Sequence, residues 1–288
     1  MALGWIAPIV LVGVCVLSCL WSVLTAPRFN VRGLHVIFTG AENPLGLAIA
    51  KKYIKKGAKV LKMTVLIVVT LIGPSTDALK AAQCELQKVA GDGAAVFIFE
   101  CELVDQEQVQ QAVEEANAFH GRPTDHIVYA ASIRITPGYF WEQDLAAMKE
   151  AMDINYHGAV VLVKSALPAM IEAKVRGRIV FVSSVDSLEF PVGCGACSGT
   201  KNKSPAATKA LDKKAQILIN GLWMGQYSIT TTWNGFLLRL LSNGVAPRNN
   251  TPLEFMALFF VSLYQFMVKA MQERSVKAPT LAGTAAHV

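Results

Sequence analysis

The first 27 residues contain no charged side chain, and the first charge after the N-terminal amine is Arg28. The stretch from Ala2 to Ala26 is long enough to cross a bilayer as a helix. A cleaved signal peptide is the alternative, but there is no basic n-region, and Pro27 is an awkward residue beside a cleavage site. We therefore predict a membrane anchor over residues 1–27. Because Arg28 and Arg32 follow it, the positive-inside rule places the rest of the chain in the cytosol.

The chain also lacks a disulfide framework. Its six cysteines are scattered and two of them fall in the predicted anchor, which agrees with a cytosolic domain. Cys194 and Cys197 have C-x-x-C spacing, but no second cysteine or histidine pair accompanies them. Two small loop residues are therefore a better interpretation than a zinc site. No metal site is predicted.

A basic stripe with interleaved aromatic residues, typical of nucleic-acid-binding proteins, is missing as well. The formal net charge of +6 is mild and favours anionic surfaces or phosphates in general. A hydrophobic content of 53% over 288 residues is enough for a substantial core. The composition therefore indicates a globular domain with no nucleic-acid partner.

Predicted strands and helices alternate after the anchor. Short apolar runs bounded by turn residues predict the strands, and helical periodicity predicts the helices. This alternation is typical of a parallel sheet covered on both faces, so we predict a doubly wound, Rossmann-like α/β domain. The strands are predicted at Leu34–Phe38, Thr64–Ile72, Ala94–Phe99, His126–Ala130 and Arg178–Val182, and the helices at Leu45–Lys56, Asp77–Ala90, Asp105–Phe119 and Leu145–Met170.

The residues that lead into the second predicted strand are unusual. The run from Val60 to Ile72 is too long and too apolar for one ordinary strand, and Lys62 interrupts it. Only the part from Thr64 onward has the composition of a buried parallel strand. The residues before it are interpreted as an insertion.

The alternation ends near Gly221. We therefore predict that the α/β domain covers residues 28–220 and that an irregular region covers 221–288. Within that region, an apolar run predicts a hydrophobic helix over residues 253–270. Because the run is short for a membrane span, the helix is expected to lie at the membrane interface or to pack against the core.

The first strand is followed by the turn Thr39-Gly40-Ala41-Glu42-Asn43-Pro44-Leu45-Gly46. Glycines at such a turn let the backbone approach a pyrophosphate at the N-terminus of the next helix. Pro44 is tolerated in a first helical turn, but it removes a backbone N–H and its ring crowds the approach. The turn therefore predicts a dinucleotide site with weakened phosphate binding.

A second motif begins with the predicted strand that ends at Ser183 and Ser184. Cys197 follows in the next loop, and Lys201 lies four residues further on. Together with the glycine turn, this layout resembles the short-chain dehydrogenase/reductase family, in which a serine at a strand end faces a Tyr-x-x-x-Lys pair. The resemblance implies hydride transfer between a nicotinamide cofactor and a carbonyl group.

The resemblance also implies roles for individual residues. Ser184 would polarise the substrate carbonyl, Lys201 would bind the cofactor ribose, and Asn155 would position a proton-relay water. Cys197 stands where the family has its proton-donating tyrosine. The ordinary pKa of a thiol, about 8.5, lies below that of a phenol, about 10, but the sulfur stays close to the backbone and reaches less far. An alternative register, with Ser204 as N-cap of a helix that contains Lys209, lacks a suitable tyrosine too.

NADPH is the cofactor that the resemblance implies. Members that use NADPH often carry arginine after the second strand, where this chain has Gly73-Pro74 and no acidic residue for an NAD ribose either. Glu102 stands in the place of an aspartate that contacts adenine, and Tyr129 to Ser132 replace an Asn-Ala-Gly segment. The implied cofactor-binding residues are Gly40, Asn43, Gly46, Glu102, Ala130 and Lys201.

Three features resemble one branch of the family, the reductases of 3-ketodihydrosphingosine in the endoplasmic-reticulum membrane. These features are the anchor, the block from Gly177 to Ser184, and the C-terminal helix that ends in Met271-Gln272-Glu273-Arg274. The resemblance implies a long-chain ketosphingoid substrate, NADPH, and a cytosolic domain held at that membrane.

The alternative is a catalytically inactive relative that acts as a membrane-bound interaction or regulatory protein. The replaced tyrosine, Pro44 and the short region after Lys201 favour this alternative.

Overall fold

The computed structural model describes residues 33–57, 67–90, 94–133, 143–175, 177–183 and 208–241, together with a few residues between 13 and 24. The chain divides into two compact units. One is Asn30–Asn220, and the other combines Met1–Phe29 with Gly221–Val288.

The first unit contains a parallel sheet with flanking helices, as predicted. Its elements are β1 (His35–Thr39), α1 (Pro44–Gly57), β2 (Ile67–Gly73), α2 (Thr76–Ala90), β3 (Ala94–Glu100), α3 (Gln106–His120), β4 (His126–Tyr129), α4 (Leu145–Met152), a π-helical turn (Asp153–His157), α5 (Gly158–Glu172), β5 (Arg178–Phe181) and α6 (Thr208–Trp223). Most predicted boundaries agree with these to within about two residues, the usual scatter of helix and strand ends.

The five described strands pair in the order β3-β2-β1-β4-β5, and every pairing is parallel. The strand β1 lies in the centre, where Ile37 pairs with Thr70 of β2 on one side and with Ile127 of β4 on the other. The chain order reverses at this point, since β2 and β3 lie to one side and β4 and β5 to the other. Ligands of doubly wound domains bind outside the carboxyl ends of the strands at such a switch point.

Helices cover both faces of the sheet. Buried side chains of α3 and α5, including Val109 and Leu162, pack with Ile37 and Ile127 in one core cluster. The helix α1 contributes Tyr53, whose ring meets that of Phe38 edge-on at 5.1 Å between centroids. All five residues of β1 are buried, in agreement with its apolar centre Val36-Ile37-Phe38.

The helix α3 shows how local sequence sets an element boundary. The carboxylate of Asp105 accepts hydrogen bonds from the backbone N–H groups of Glu107 and Gln108, which caps the N-terminus. Gly121 ends the helix with a φ of 60°, a left-handed conformation that favours glycine. The predicted helix is confirmed, with Asp105 as its cap and not its first residue.

The segment Leu145–Glu172 is long and apolar enough to cross a membrane by length and composition alone. Within its unit, however, Ala151 is fully buried, and Leu162 and Ala166 belong to the core cluster with Ile127. These apolar residues of the segment therefore pack against the sheet.

The second unit corrects the prediction that the chain after Gly221 is irregular. Besides the end of α6, it contains a helix α7 (Trp233–Leu241). The Thr232 hydroxyl caps α7 by accepting from the backbone N–H of Gly235 at 3.1 Å, and Leu237 and Leu240 bury its apolar face. The helix was not predicted because the residues before it are rich in threonine and aromatic side chains, a composition typical of loops.

The described residues between 13 and 24 are helical, and their large apolar side chains are exposed, including Trp21 at 71% and Leu24 at 77%. The membrane anchor itself stays a prediction. The proposed insertion before Thr64, the C-x-x-C pair, the Ser204 register and the hydrophobic helix over 253–270 lie outside the described residues.

Two buried histidines make the stability of the fold sensitive to acid. Burial, with smaller contributions from His120 and Arg122, lowers the pKa of His35 to about 3. Burial and then Arg178 lower the pKa of His126 to about 4. Both groups bind protons more readily in the unfolded chain, at about pH 6.5, so their contribution to stability is complete above that pH and is lost as the pH falls.

We expect the free energy of unfolding to fall by about 2 kcal/mol per histidine between pH 6.5 and 4.5. Urea unfolding in detergent at a series of pH values measures this. The double variant His35→Gln, His126→Gln should flatten the acid side of the profile. An unchanged slope in the double variant would show that other groups control acid stability.

Candidate dinucleotide and catalytic site

The candidate site lies where the β1–α1 turn meets the end of β4. Gly40 adopts a φ of +72°, and a Cβ there would lie 2.5 Å from the carbonyl oxygen of Ala130. Real Cβ atoms do not approach oxygen so closely, so only glycine lets the turn press against β4. The motif predicted a glycine at this position, and the contact with Ala130 explains why no side chain is tolerated there.

Gly46 allows a second close approach, between the first turn of α1 and the β1–α1 turn. A Cβ at Gly46 would lie 2.7 Å from the carbonyl carbon of Gly40, so the first turn of α1 packs directly on the β1–α1 turn. Both glycines therefore hold the N-terminus of α1 at the carboxyl edge of the sheet. That terminus carries the partial positive charge of the helix dipole, as an anion site requires.

Asn43 links this turn to β4. Its side-chain amide nitrogen donates to the Ala130 carbonyl at 3.0 Å, and its Oδ1 accepts from the backbone N–H of Gly46 at 2.9 Å. Asn43 is therefore the N-cap of α1, with Pro44 at the first helical position. The structure brings together Gly40, Asn43, Gly46 and Ala130, four of the residues predicted to bind a cofactor.

These contacts test whether a dinucleotide fits. The backbone path of a phosphate-binding turn is retained, and the helix N-terminus points to the switch point. Two donors are lost, however, because Pro44 has no backbone N–H and that of Gly46 already donates to Asn43. A dinucleotide fits the crevice, with fewer hydrogen bonds to its phosphates.

Tyr129 is the last residue of β4 and is fully buried. Its hydroxyl donates to the Ile154 carbonyl in the π-helical turn. Burial, followed by the carboxylate of Glu42, raises the pKa of Tyr129 above its usual range, so the hydroxyl stays protonated and acts as a donor. Gly158 makes room for it, since a Cβ there would lie 2.6 Å from the hydroxyl oxygen.

Asn155, predicted as a catalytic residue, lies on the same π-helical turn and is buried. Its side-chain oxygen accepts from the backbone N–H of Ile133 at 2.9 Å, and its side-chain nitrogen donates to the Ile133 carbonyl at 3.0 Å. Asn155 therefore fixes the chain that leaves β4. Single π-helical turns inside α-helices are frequent at functional sites, but the catalytic role stays a prediction.

The remaining predicted residues lie at the periphery or outside the described chain. Glu102 follows β3 with an exposed side chain, and its backbone N–H donates to Gln108 at 3.1 Å. The backbone N–H of Val182 donates to the Tyr129 carbonyl at 2.9 Å, so the chain reaches Ser183 beside the end of β4. Ser184, Cys197 and Lys201 lie outside the described residues.

Sequence reasoning missed two interactions at this edge of the sheet. The hydrogen bond from Tyr129 to the π-helical turn has no sequence signal, because its partner is a backbone carbonyl 25 residues away. Glu42 was within the motif, but its position against the end of β2 was not foreseen. Within the described ranges, no group of three His, Cys, Asp or Glu side chains could hold a metal ion.

Comparisons with known proteins agree with this geometry. The chain is 28% identical over 205 residues to a fatty acyl-CoA reductase of Acinetobacter baylyi, which covers 68% of this chain and 63% of the relative. It is 30% identical over 177 residues to 3-ketodihydrosphingosine reductase of Mus musculus, which covers 60% of this chain and 50% of the relative. The chain thus spans one half to two thirds of the length of these curated relatives.

Solved structures share the fold. The NAD+-bound structure of a xylitol dehydrogenase superposes with a TM-score of 0.53 at 19% sequence identity and covers 68% of each chain. The sequence model described as short chain dehydrogenase matches residues 34–217, well over half of the chain. The chain therefore belongs to the short-chain dehydrogenase family, whose fold binds a nicotinamide cofactor, and it resembles the 3-ketodihydrosphingosine reductases within it.

Proposed function

We propose that the chain is a membrane-anchored reductase of long-chain 3-ketosphingoid lipids in sphingolipid synthesis. The observation that carries the proposal is the arrangement of the glycine turn, Asn43 and Asn155 around the carboxyl ends of β1 and β4. The names of relatives, 3-ketodihydrosphingosine reductase of Mus musculus among them, support the substrate class. Because that alignment covers half of the relative, the activity is a proposal for this chain.

The chain's own residues would act by binding and orienting. The N-terminus of α1, capped by Asn43, would bind the pyrophosphate, and Asn155 would keep the segment after β4 in place. Ser184 would donate a hydrogen bond to the substrate ketone, and Lys201 would bind the ribose. The cofactor, once bound, would supply the hydride.

Proton donation is the step at which we expect this chain to differ most from other members of the family. A ketone that accepts hydride needs a proton on its oxygen, and Cys197 stands in the position of the usual donor. Because its sulfur reaches less far than a phenol oxygen, proton transfer from Cys197 should be slow.

A second candidate function is a catalytically silent, membrane-bound interaction or regulatory protein. It is favoured by Cys197, which we place at the position of the family's tyrosine, and by the loss of two phosphate donors at Pro44 and Gly46. Titrating a nicotinamide cofactor against the purified chain separates the two, because only the reductase needs to bind it.

The resemblance implies NADPH as the cofactor, and this stays a prediction. Pro44 weakens phosphate binding for either dinucleotide, and the residues that follow β2, Pro74 to Asp77, include no cation for a 2′-phosphate. A choice between NADH and NADPH therefore depends on side chains from other elements at the end of β2.

For the location, we propose the endoplasmic-reticulum membrane, with residues 1–27 as the anchor and residues 28–220 in the cytosol. The exposed apolar side chains of the helical residues near Trp21 support a membrane contact. Residues 253–270 would form a second contact within the region 221–288.

The replacement Pro44→Gly should increase the affinity for NADH and NADPH, since it restores a backbone N–H and removes the ring from the approach. Fluorescence titration of the full chain in detergent measures the dissociation constants. Pro44→Ala tests whether these two changes suffice without the conformational freedom of glycine, because it also restores the N–H and removes the ring. If neither change alters the affinity, the phosphates do not bind at this turn.

The chain as written should reduce 3-ketodihydrosphingosine only slowly, and Cys197→Tyr should raise the rate. General acid catalysis is typically worth about 10²–10⁴-fold, so the recovery should be easy to detect in a product assay. Cys194→Tyr is the matched control, because it places the same side chain three residues away. Brisk turnover of the unmodified chain that is abolished by Cys197→Ala would contradict this prediction.

Deletion of residues 1–27 should make the protein easier to extract from membranes without releasing it completely, because the apolar run in residues 253–270 keeps a second contact. Carbonate extraction followed by sedimentation measures the soluble fraction. Full release of the truncated chain would rule out the second contact, and no change on deletion would rule out the anchor.

A further inference from the structure

The side chain of Glu42 extends from the β1–α1 turn over the end of β2. Its two carboxylate oxygens lie 3.3 and 3.5 Å from the place that a Cβ on Gly73 would occupy. Gly73 is the last residue of β2 and is buried, whereas Glu42 is exposed. A negative charge therefore stands at the mouth of the crevice between the ends of β1 and β2.

This position coincides with the place of the adenosine ribose in a doubly wound domain. A carboxylate there accepts a hydrogen bond from a free ribose 2′-hydroxyl, and an arginine there accommodates a 2′-phosphate. Such a carboxylate ordinarily belongs to the strand end itself, but Gly73, Pro74 and Ser75 supply none. Glu42 supplies one from the neighbouring turn.

The surroundings reinforce this negative charge. Asp77 lies in the first turn of α2, and Glu100 ends β3 and accepts a hydrogen bond from the Thr76 hydroxyl. A 2′-phosphate placed here would approach the Glu42 carboxylate at the end of β2, where Glu100 of β3 pairs with Gly73.

We infer that Glu42 selects a dinucleotide with a free 2′-hydroxyl, NADH, over its 2′-phosphorylated form, NADPH. The inference rests on the proposed function and opposes the NADPH that the family resemblance implies. The physical reason is that a phosphate dianion repels a carboxylate at short range, whereas a hydroxyl donates a hydrogen bond to it.

The test measures the direct binding of NADH and of NADPH to the full chain in detergent, with the fluorescence of the nucleotide as the readout. The unmodified chain should bind NADH at least about tenfold more tightly than NADPH, a difference of about 1.4 kcal/mol. Glu42→Gln should tighten NADPH binding about tenfold and weaken NADH binding slightly. Glu172→Gln, an equal charge change in the exposed last turn of α5, should leave the preference unchanged.

Ionic strength provides a second readout. The preference of the unmodified chain should shrink between 0.05 and about 0.5 M salt, because exposed charges are screened over a few ångströms at high salt. The Glu42→Gln variant should show a weaker salt dependence in its ratio of affinities.

Two outcomes would overturn the inference and are distinguishable. Equal or tighter binding of NADPH by the unmodified chain, unaffected by Glu42→Gln, would show that Glu42 does not face the 2′ position and would leave the proposed reductase intact. Failure of both nucleotides to bind, even to the Pro44→Gly, Glu42→Gln double variant, would overturn the proposed function together with the inference.

Discussion

The close approach of the β1–α1 turn to the end of β4 is the contact on which the rest of the site depends. Gly40 has no space for a side chain against Ala130, and Asn43 joins the same carbonyl to the first turn of α1. Because these contacts are steric and directional, they set where the helix begins and where its dipole points. Any anion at the switch point, and any carboxylate carried by the turn, takes its position from them.

A second set of contacts, made by hydrogen bonds, fixes the other side of the crevice. The Tyr129 hydroxyl bonds to the π-helical turn, and Asn155 on that turn binds both backbone groups of Ile133. Buried hydrogen bonds of this kind are costly to leave unmade, so they keep β4, the turn and the departing chain in one arrangement. The site thus combines a rigid frame with altered phosphate chemistry, since Pro44 has no backbone N–H to donate.

Much of this fold was predictable because its signals are local. Strand and helix periods located the sheet, and Asp105 and Gly121 mark the ends of α3 by capping chemistry. Gly40 and Gly46 followed from a motif whose members are neighbours in sequence. The contacts of Tyr129 and Glu42 join distant segments, and no period or motif reports which atoms tertiary packing brings together. The helix α7 was missed because its cap, Thr232, lies in a polar and aromatic stretch that resembles a loop.

The proposed function requires that a nicotinamide dinucleotide binds at the β1–α1 turn of this chain. Hydrogen exchange measured by mass spectrometry, with and without saturating NADH, tests it most directly, because exchange reports the backbone groups that a ligand covers. We expect slower exchange in peptides that cover residues 40–47 and 129–133, and unchanged exchange in the α3 peptide 106–120. Unchanged exchange at the turn, or protection confined to other segments, would contradict it.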